Sequence, residues 1–125
     1  MDNLDPTFSI SADLTHGEVH YSVGGLWDMP TMIEFQRDLL AKSKPLLEAG
    51  RKIHALGEMS KFVTQTREIS EAMRMVVTES AKLGTVKTAI VGGSNLMKMQ
   101  YKRLNDGINC EFFDRKSDAI AWLRS

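Results

Sequence analysis

The chain has 125 residues, of which 42% are hydrophobic and 26% are charged. A chain of this length corresponds to one domain and can bury an ordinary core without a metal or disulfide staple, so we expect a single domain over 1–125 with a flexible tail at 1–6. Sixteen basic residues balance sixteen acidic ones. A chain without net charge has no overall field that would attract nucleic acid or anionic lipid, and no nucleic-acid partner is predicted.

The cellular compartment is indicated by three features of the sequence. The single cysteine, Cys110, excludes an internal disulfide and is typical of a reducing compartment. The longest apolar runs are only a few residues, far below the roughly 20 that cross a bilayer, so no transmembrane segment is predicted. The opening MDNLDPTFSI lacks the basic and then apolar order of a signal peptide. We therefore expect a cytoplasmic protein.

The first part of the chain predicts a β-hairpin and then a long helix. Two short strand candidates, TFSI and EVHYSVGGLW, flank the turn-prone SADLTHGE, which is the pattern of a hairpin. Thr31 and Glu34 have the spacing of a capping box, so the helix is expected to begin near Thr31. Pro45 lies inside the helical pattern and predicts a kink or a restart, and Gly50 predicts the end of the helix.

The rest of the chain alternates strands and helices. RKIHALGEM predicts a strand and is followed by a helix through about Leu83. VKTAIVGG predicts a buried strand, and SNLMKMQYKRLNDG predicts a helix capped by Ser94 or Asn95. INCEFFD predicts the last strand, and DRKSDAIAWLRS predicts a final helix with Asp114 as its cap. The order β-β-α-β-α-β-α-β-α predicts an α/β protein with a mixed, mostly parallel, five-stranded sheet and four helices.

The histidines and the cysteine, which most often bind metals or act in catalysis, do not have the spacing of a known metal or catalytic motif. His16, His20 and His54 lack metal-ligand spacing to another histidine, to a cysteine or to a close pair of carboxylates, so we predict no metal site and three unrelated surface histidines. No cofactor is predicted. Cys110 lies within an apolar strand, where no base or helix N-terminus would activate it, and is interpreted as a packed thiol. Trp27 and Trp122 are interpreted as core or core-rim anchors.

Two segments leave alternatives open. VGGSN, which contains Gly92, Gly93 and Ser94, runs from a strand end into a helix and could offer free N–H groups to an anion, although two glycines in a tight turn explain it equally well. NLMKMQYKR interleaves basic residues with methionines, which suits either an anionic or lipidic partner or a solvated helix face beside a core stripe.

GLWD at 25–28 and the ending FFD…SDAIAWL at 112–123 resemble the STAS / SpoIIAA-like superfamily, in particular its STAS/SEC14 branch of small bacterial single-domain proteins. The resemblance implies the SpoIIAA-like fold. It also implies a regulatory binding module, because the anti-sigma-factor antagonists of this superfamily act through partner binding that is switched by phosphorylation of a serine in an Asp-Ser-Ser-Gly-like turn. That motif is missing from this chain, and Thr66 and Thr64 are the hydroxyl residues nearest to its position. The SEC14-like branch implies a small hydrophobic ligand.

Two functions from different classes follow from the sequence. The first is a non-enzymatic binding or regulatory module that contacts a protein partner or a small hydrophobic or anionic ligand at the carboxyl ends of the strands, where ligands of parallel sheets bind. Its predicted site comprises Glu58, Met59, Ser60, Thr64, Gly92, Gly93 and Ser94, with Thr66 and Thr64 as candidate phosphoacceptors. A homodimer stays open as an alternative assembly. The second function is a small enzyme with an active loop around Glu58 and Ser60, helped by His54 or Lys61.

Overall fold

A computed structural model describes residues 4–105 and 107–125 of the chain. Within these residues five strands and four helices follow one another in the predicted order. The strands are β1 (Thr7–Asp13), β2 (Glu18–Gly25), β3 (Ile53–Phe62), β4 (Thr85–Val91) and β5 (Cys110–Phe113). The helices are α1 (Met29–Glu48), α2 (Arg67–Leu83), α3 (Asn95–Leu104) and α4 (Lys116–Leu123). The predicted α/β class and the predicted mixed sheet are confirmed.

The five strands form one sheet in the order β1-β2-β3-β4-β5. β1 is antiparallel to β2, and the other neighbours are parallel. Because each parallel connection leads to the adjacent strand with the same right-handed sense, α1, α2 and α3 lie on one face of the sheet. Their buried side chains share one core with that face, and they include Met32, Phe35, Ile69, Met73 and Met97.

The opposite face of the sheet is only half covered. α4 packs over β3, β4 and β5 and buries Ala119 and Leu123 against Leu56, Ala89 and Val91. The two hairpin strands β1 and β2 have no helix packed on this face within the described part of the chain. The sheet therefore separates an enclosed core on one side from an open polar surface on the other.

Two predicted caps are wrong. α1 begins at Met29, and its N-cap is Asp28, whose Oδ1 accepts a hydrogen bond from the Thr31 backbone N–H at 2.9 Å. Thr31 therefore lies within the first turn, together with Pro30, a position that tolerates proline because its N–H is unneeded there. The N-cap of α4 is Arg115, which makes no side-chain cap bond, whereas Asp114 lies 3.7 Å from Lys98.

The predicted restart at Pro45 is also wrong, because α1 is continuous from Met29 to Glu48. Pro45 lies in the last turn of the helix and ends it through the Ala49 cap, whose N–H donates to the Pro45 carbonyl at 3.1 Å. Of the predicted tail, residues 1–3 lie outside the described residues, and the Leu4 carbonyl accepts a hydrogen bond from the Leu26 N–H at 3.0 Å.

The cysteine and the tryptophans occupy apolar surroundings. Cys110 begins β5, and burial raises the pKa of its thiol to about 12, which agrees with a packed thiol. Trp27 is buried and meets the Phe35 ring edge-on, with centroids 5.0 Å apart. Trp122 is half-buried and lies against Phe113 on the opposite side of the sheet, with centroids 5.7 Å apart.

Candidate functional site

The predicted site residues of β3 and β4 are neighbours at the carboxyl ends of these strands. Glu58 pairs with Val91 across the two strands. One step further Gly92 lies against Ser60, and a Cβ atom at Gly92 would overlap the Ser60 hydroxyl. Gly92 also has a φ of 77°, which glycine adopts readily. The close approach and the turn both require glycine at this position.

The expected loop around Met59 is strand in the structure. β3 continues to Phe62, because after a shift of register Gly24 and Gly25 of β2 pair with Lys61 and Phe62. Successive side chains of a strand point to opposite faces. The side chain of Met59 is therefore buried in the core, with 2% exposure, whereas Glu58 and Ser60 are exposed on the other face.

Three of the four hydroxyl residues of the predicted site flank the starts of α2 and α3, and their environments differ. Thr66 caps α2 by accepting a hydrogen bond from the Ile69 N–H at 3.3 Å, and Ser94 caps α3 by accepting one from Met97 at 3.1 Å. Thr64 is exposed in the segment that joins β3 to α2. Ser94 and Thr66 thus perform the ordinary work of helix caps.

The VGGSN segment has the geometry of a tight turn. Gly92 and Gly93 both have positive φ, 77° and 98°. The Gly92 N–H donates to the Phe113 carbonyl at 3.1 Å, so it is not free for an anion. A Cβ atom at Gly93 would overlap the end of the Met97 side chain. The tight-turn interpretation therefore explains both glycines.

Among the described residues, the structure shows no oriented catalytic pair around the predicted active loop. Glu58, Ser60 and Lys61 form no side-chain hydrogen bond or ion pair with any described residue. A general base needs a group that orients it and a proton within reach. The enzyme hypothesis thus gains no support from these three side chains.

A buried glutamine, which the sequence interpretation missed, holds the carboxyl ends of β2 and β3 together. Gln65 accepts a hydrogen bond from the Trp27 N–H at 2.8 Å and donates to the carbonyls of Gly25 and Val63 at 3.0 and 2.6 Å. Its own backbone is bound in turn by the Gln100 side chain of α3. The segment between Thr64 and Thr66 is fixed through this residue.

An apolar cavity of about 90 Å³ lies between α1, α2 and the sheet. Its walls are mainly aliphatic and aromatic, and Met59 is one of them. The buried Tyr101 and the half-buried Tyr21 provide a polar point, because their hydroxyl groups are hydrogen bonded to each other at 2.9 Å. Burial raises the pKa of Tyr21 well above its ordinary value and that of Tyr101 to about 12, so both hydroxyls are neutral.

The cavity adjoins a groove of about 320 Å³ between α1 and α2. Six residues line both spaces, and these are Leu39, Ser43, Ile53, Val76, Ser80 and Thr85. Toward solvent the groove continues past Leu40, Met75 and Leu83, each of which is more than half exposed. The cavity and the groove thus lie side by side between the two helices and share these six residues as walls.

A charged cluster at the opposite end of the sheet contradicts the prediction of three unrelated histidines. The carboxylate of Glu18 is fully buried and accepts hydrogen bonds from Arg124 at 2.9 and 3.0 Å and from His20 at 2.8 Å. His16 lies 2.8 Å from Asp13, which is 3.6 Å from Arg124. His54 is the cross-strand neighbour of Glu18.

The electrostatics of this cluster follow from its geometry. The hydrogen bonds from Arg124 lower the pKa of Glu18, although burial opposes the shift. The hydrogen bond to His16 lowers the pKa of Asp13, and burial lowers the pKa of His54. Asp13, His16 and Glu18 could converge on a metal ion, with ligand atoms within 4.8 Å of one another. The Arg124 guanidinium already pairs with both carboxylates, and its positive charge would repel a metal ion bound beside it.

Comparisons with known proteins agree on the fold. No protein-family model matches the chain, and no curated protein matches it. An uncharacterized protein of the DUF3478 family with a SpoIIAA-like fold from Shewanella loihica PV-4 is 18% identical, with a TM-score of 0.70 over 94% of this chain and 93% of that one. An anti-sigma factor antagonist from Mycobacterium paratuberculosis is 12% identical, with a TM-score of 0.64 over 97% of this chain and 96% of that one.

Among the described residues no helix combines the length and the apolarity that a membrane span requires. The two solved structures have the sheet and helices of this chain over nearly its whole length. The chain therefore has the SpoIIAA-like α/β fold that its resemblance implied.

Proposed function

We propose that this protein is a non-enzymatic binding module whose cavity between α1 and α2 takes a small apolar ligand. The observation that supports this function is the apolar cavity of about 90 Å³ beside the groove of about 320 Å³, with six lining residues in common. An apolar pocket with a few convergent polar groups is the usual form of a small-molecule site. The groove belongs to a module of the STAS type, whose solved relatives include an anti-sigma factor antagonist.

The lining residues define the chemistry of the ligand. The inner part of the space is small, so it accepts a narrow apolar chain or one edge of a ring. The paired hydroxyls of Tyr21 and Tyr101 offer hydrogen bonding at that inner end, and Ser43 and Ser80 offer it at the mouth. Burial of apolar ligand surface in this space favours binding by about 25 cal/mol for each Å² removed from water.

The test is saturable binding of the fluorescent probe 8-anilinonaphthalene-1-sulfonate, together with mass spectrometry of compounds extracted from the purified protein. Val76→Phe puts a larger side chain on a wall that the cavity and the groove share, and it is expected to weaken probe binding at least about tenfold. Ala121→Phe, on the exposed side of α4, is the matched control and should leave binding unchanged. Absence of saturable binding, together with no extracted apolar compound, would contradict the function.

A second candidate function is partner binding at the carboxyl ends of the strands, and exposed apolar side chains on α3 favour it. Leu96 and Met99 are 69% and 56% exposed, directly after the cap residue Ser94. We propose that they form a protein-binding surface with Ser60, Thr64 and the turn at Gly92 and Gly93, and that Glu58 borders it. Single exposed apolar residues are normal on a protein surface, but a contiguous apolar patch rimmed by polar residues marks an interaction site, and Leu96 and Met99 lie one helical turn apart on α3.

A pull-down with the immobilised chain tests this surface. Leu96→Lys combined with Met99→Lys is expected to abolish capture of the partner, whereas Leu14→Lys in the hairpin, where Leu14 is 52% exposed, is expected to leave it intact. Self-association of the wild-type chain in analytical ultracentrifugation, lost in the same double variant, would identify the partner as a second copy. Equal capture by all variants would contradict the surface.

Phosphorylation next to this surface is a further part of the proposal. Thr64 and Thr66 are both exposed, and a phosphate at either residue would add about two negative charges at the N-terminus of α2, which favours anions. Mass spectrometry of the protein purified from its native cells should find phosphate on Thr66 or Thr64. If the peptides that contain Thr64 and Thr66 are detected only in unmodified form, phosphorylation at this surface would be contradicted.

A further inference from the structure

The uncovered face of β1 and β2 contains a groove of about 270 Å³, beside the first turn of α4. We call it the open-face groove, and its polar side chains are Ser9, Ser11, His20, Ser22, Glu58 and Lys116. It lies on the side of the sheet opposite to the α1–α2 cavity, as strand alternation dictates. The two spaces therefore share no ligand.

The strand register gathers these side chains. Ser9 is opposite Ser22, and Ser11 is opposite His20. On the next strand Glu58 is the partner of Ser22. Cross-strand neighbours on one face have Cβ atoms about 5 Å apart, so the hydroxyls, the imidazole and the carboxylate surround one small space.

The polar groups of the groove have hydrogen-bonding capacity to spare. The three serine hydroxyls, the Glu58 carboxylate and the Lys116 ammonium have no side-chain hydrogen bond or ion pair with any described residue. Glu58 and Lys116 line the same groove without forming an ion pair with each other. Each charge is therefore available to a ligand group of the opposite sign.

Among the polar side chains of the groove, His20 is the one whose orientation is fixed by a hydrogen bond to a described residue outside the groove. Its Nε2 lies 2.8 Å from the buried Glu18 carboxylate, which Arg124 holds with two further hydrogen bonds. A ring nitrogen tied to a fixed carboxylate sets the direction of the whole imidazole. Nδ1 is the ring nitrogen left for a ligand.

From this arrangement we propose that the open-face groove binds a free amino acid through its zwitterionic carboxylate and ammonium groups. Lys116 pairs with the ligand carboxylate, Glu58 pairs with the ligand ammonium, and His20 and the serines complete the hydrogen bonding. A simple anion would meet the Glu58 carboxylate, and a simple amine would meet the Lys116 ammonium, so each lacks half of the complementarity. The volume is slightly below the usual range of about 300–1,000 Å³ for ligand pockets, which suits one small molecule.

Four probe molecules separate the contributions of the ligand groups. L-alanine has both charges, acetate has the carboxylate alone, ethylamine has the ammonium alone, and glycerol has hydroxyls without charge. Binding is followed at pH 7 by the NMR signals of the His20 ring during titration of the full chain. We expect saturable shifts with L-alanine, and an affinity at least about tenfold lower for each of the other three probes.

Variants assign the two charges. Glu58→Gln and Lys116→Met are each expected to weaken L-alanine binding at least about tenfold. The controls are Glu48→Gln and Lys44→Met, which remove an exposed acid–base pair, 4.0 Å apart, from α1 on the other side of the sheet; they should leave the titration unchanged. His20→Asn should also weaken binding, because it removes the oriented ring nitrogen, and its readout is the backbone amides of Ser11 and Ser22.

Each other outcome overturns the proposal. Acetate or ethylamine binding as tightly as L-alanine would show a site for a single charge, and equal binding of glycerol would show a polyol site. Absence of saturable shifts with every probe would show that the groove is solvent-filled surface. Because the α1–α2 cavity is assayed with a different probe and different variants, failure of one function is distinguishable from failure of the other.

Discussion

The guanidinium group of Arg124 donates two hydrogen bonds to the buried carboxylate of Glu18, at 2.9 and 3.0 Å, across 106 positions of the chain. Glu18 begins β2, and Arg124 follows the last residue of α4. The pair therefore ties the end of the chain to the sheet and holds α4 over β3–β5. The same carboxylate fixes His20, so one ion pair supports both the fold and the open-face groove.

Arg124→Met should destabilise the protein by about 1–3 kcal/mol, because it leaves the buried Glu18 carboxylate with only the hydrogen bond from His20 among the described residues. The loss is smaller than for a fully enclosed pair, since the Arg124 side chain is 37% exposed. Urea unfolding at pH 7 measures it. Arg37→Met on the exposed face of α1 is the control and should change stability by less than about 0.5 kcal/mol. An equal effect of both substitutions would contradict the role of Arg124.

Stability should fall in acid through the same carboxylate. Arg124 holds the pKa of Glu18 below its ordinary value of 4.5, so the unfolded state takes up a proton at a higher pH than the folded state does. The stabilisation is therefore complete above pH 4.5 and is lost as the pH falls through the folded pKa. Asp13, whose pKa is also lowered, acts in the same direction. Unfolding free energies between pH 7 and pH 3 should show this decline, with a shallower slope in Arg124→Met.

The histidine cluster could be predicted from the sequence only in part. The two-residue period of a strand is enough to place Val19 and Tyr21 of β2 on one face of the sheet and His20 on the other, as the structure has them. The partners of His20 were not predictable, because Arg124 reaches Glu18 only through the tertiary docking of α4. A lone acidic residue in a strand, Glu18, was the signal that could have indicated a buried ion pair, since burial of an unpaired charge is costly.

Gln65→Leu should destabilise the protein by about 2–4 kcal/mol. The substitution removes the acceptor of the Trp27 N–H and the donor to the Gly25 carbonyl, and each buried group left without a partner costs about 1–3 kcal/mol. Thermal unfolding measures the loss. Gln65→Glu retains the acceptor but turns a buried carboxylate oxygen toward the Gly25 and Val63 carbonyls, so at pH 7 it should cost at least as much as Gln65→Leu. The difference between the two variants should shrink as the pH falls, because a protonated carboxyl can donate; a difference that is independent of pH would contradict the role of hydrogen bonding.

The boundary of β3 illustrates a second limit of the sequence. The pattern predicted a strand that ends near Met59, because Ser60 and Lys61 are polar and an exposed loop fits them equally well. In the structure the strand continues because Gly24 and Gly25 extend β2 along its edge. Strand pairing is a long-range property, so local polarity misplaced the predicted loop by three residues, from Met59 to Phe62. The caps Ser94 and Thr66, which depend on local spacing, were predictable and agree with the structure.

The hydroxyls of Tyr21 and Tyr101 should show coupled effects on stability. Tyr21→Phe and Tyr101→Phe each leave the other hydroxyl without its 2.9 Å partner inside an apolar cavity, at a cost of about 1–2 kcal/mol. The double variant removes both polar groups and should cost less than the sum of the single variants. A double-mutant cycle in urea measures the coupling. Strict additivity would indicate that water, and not the partner hydroxyl, satisfies each group.

Gly57→Ala tests the packing that forms the inner wall of the cavity. A Cβ atom at Gly57 would overlap the ring of Tyr21, and the backbone of β3 is too tightly paired to move aside. The ring must therefore shift toward the cavity and away from Tyr101, which should cost about 1–3 kcal/mol and weaken apolar-probe binding.

A second background separates this overlap from a general effect of alanine in the strand. In Tyr21→Val the side chain at position 21 is too short to meet the new methyl group, so Gly57→Ala should cost much less there than in the wild type. Urea unfolding of the four proteins measures the difference. If Gly57→Ala lowers the unfolding free energy equally in both backgrounds, the glycine is required by the strand itself. If it lowers the unfolding free energy only when the Tyr21 ring is present, Gly57 is the residue that makes room for Tyr21 beside the cavity.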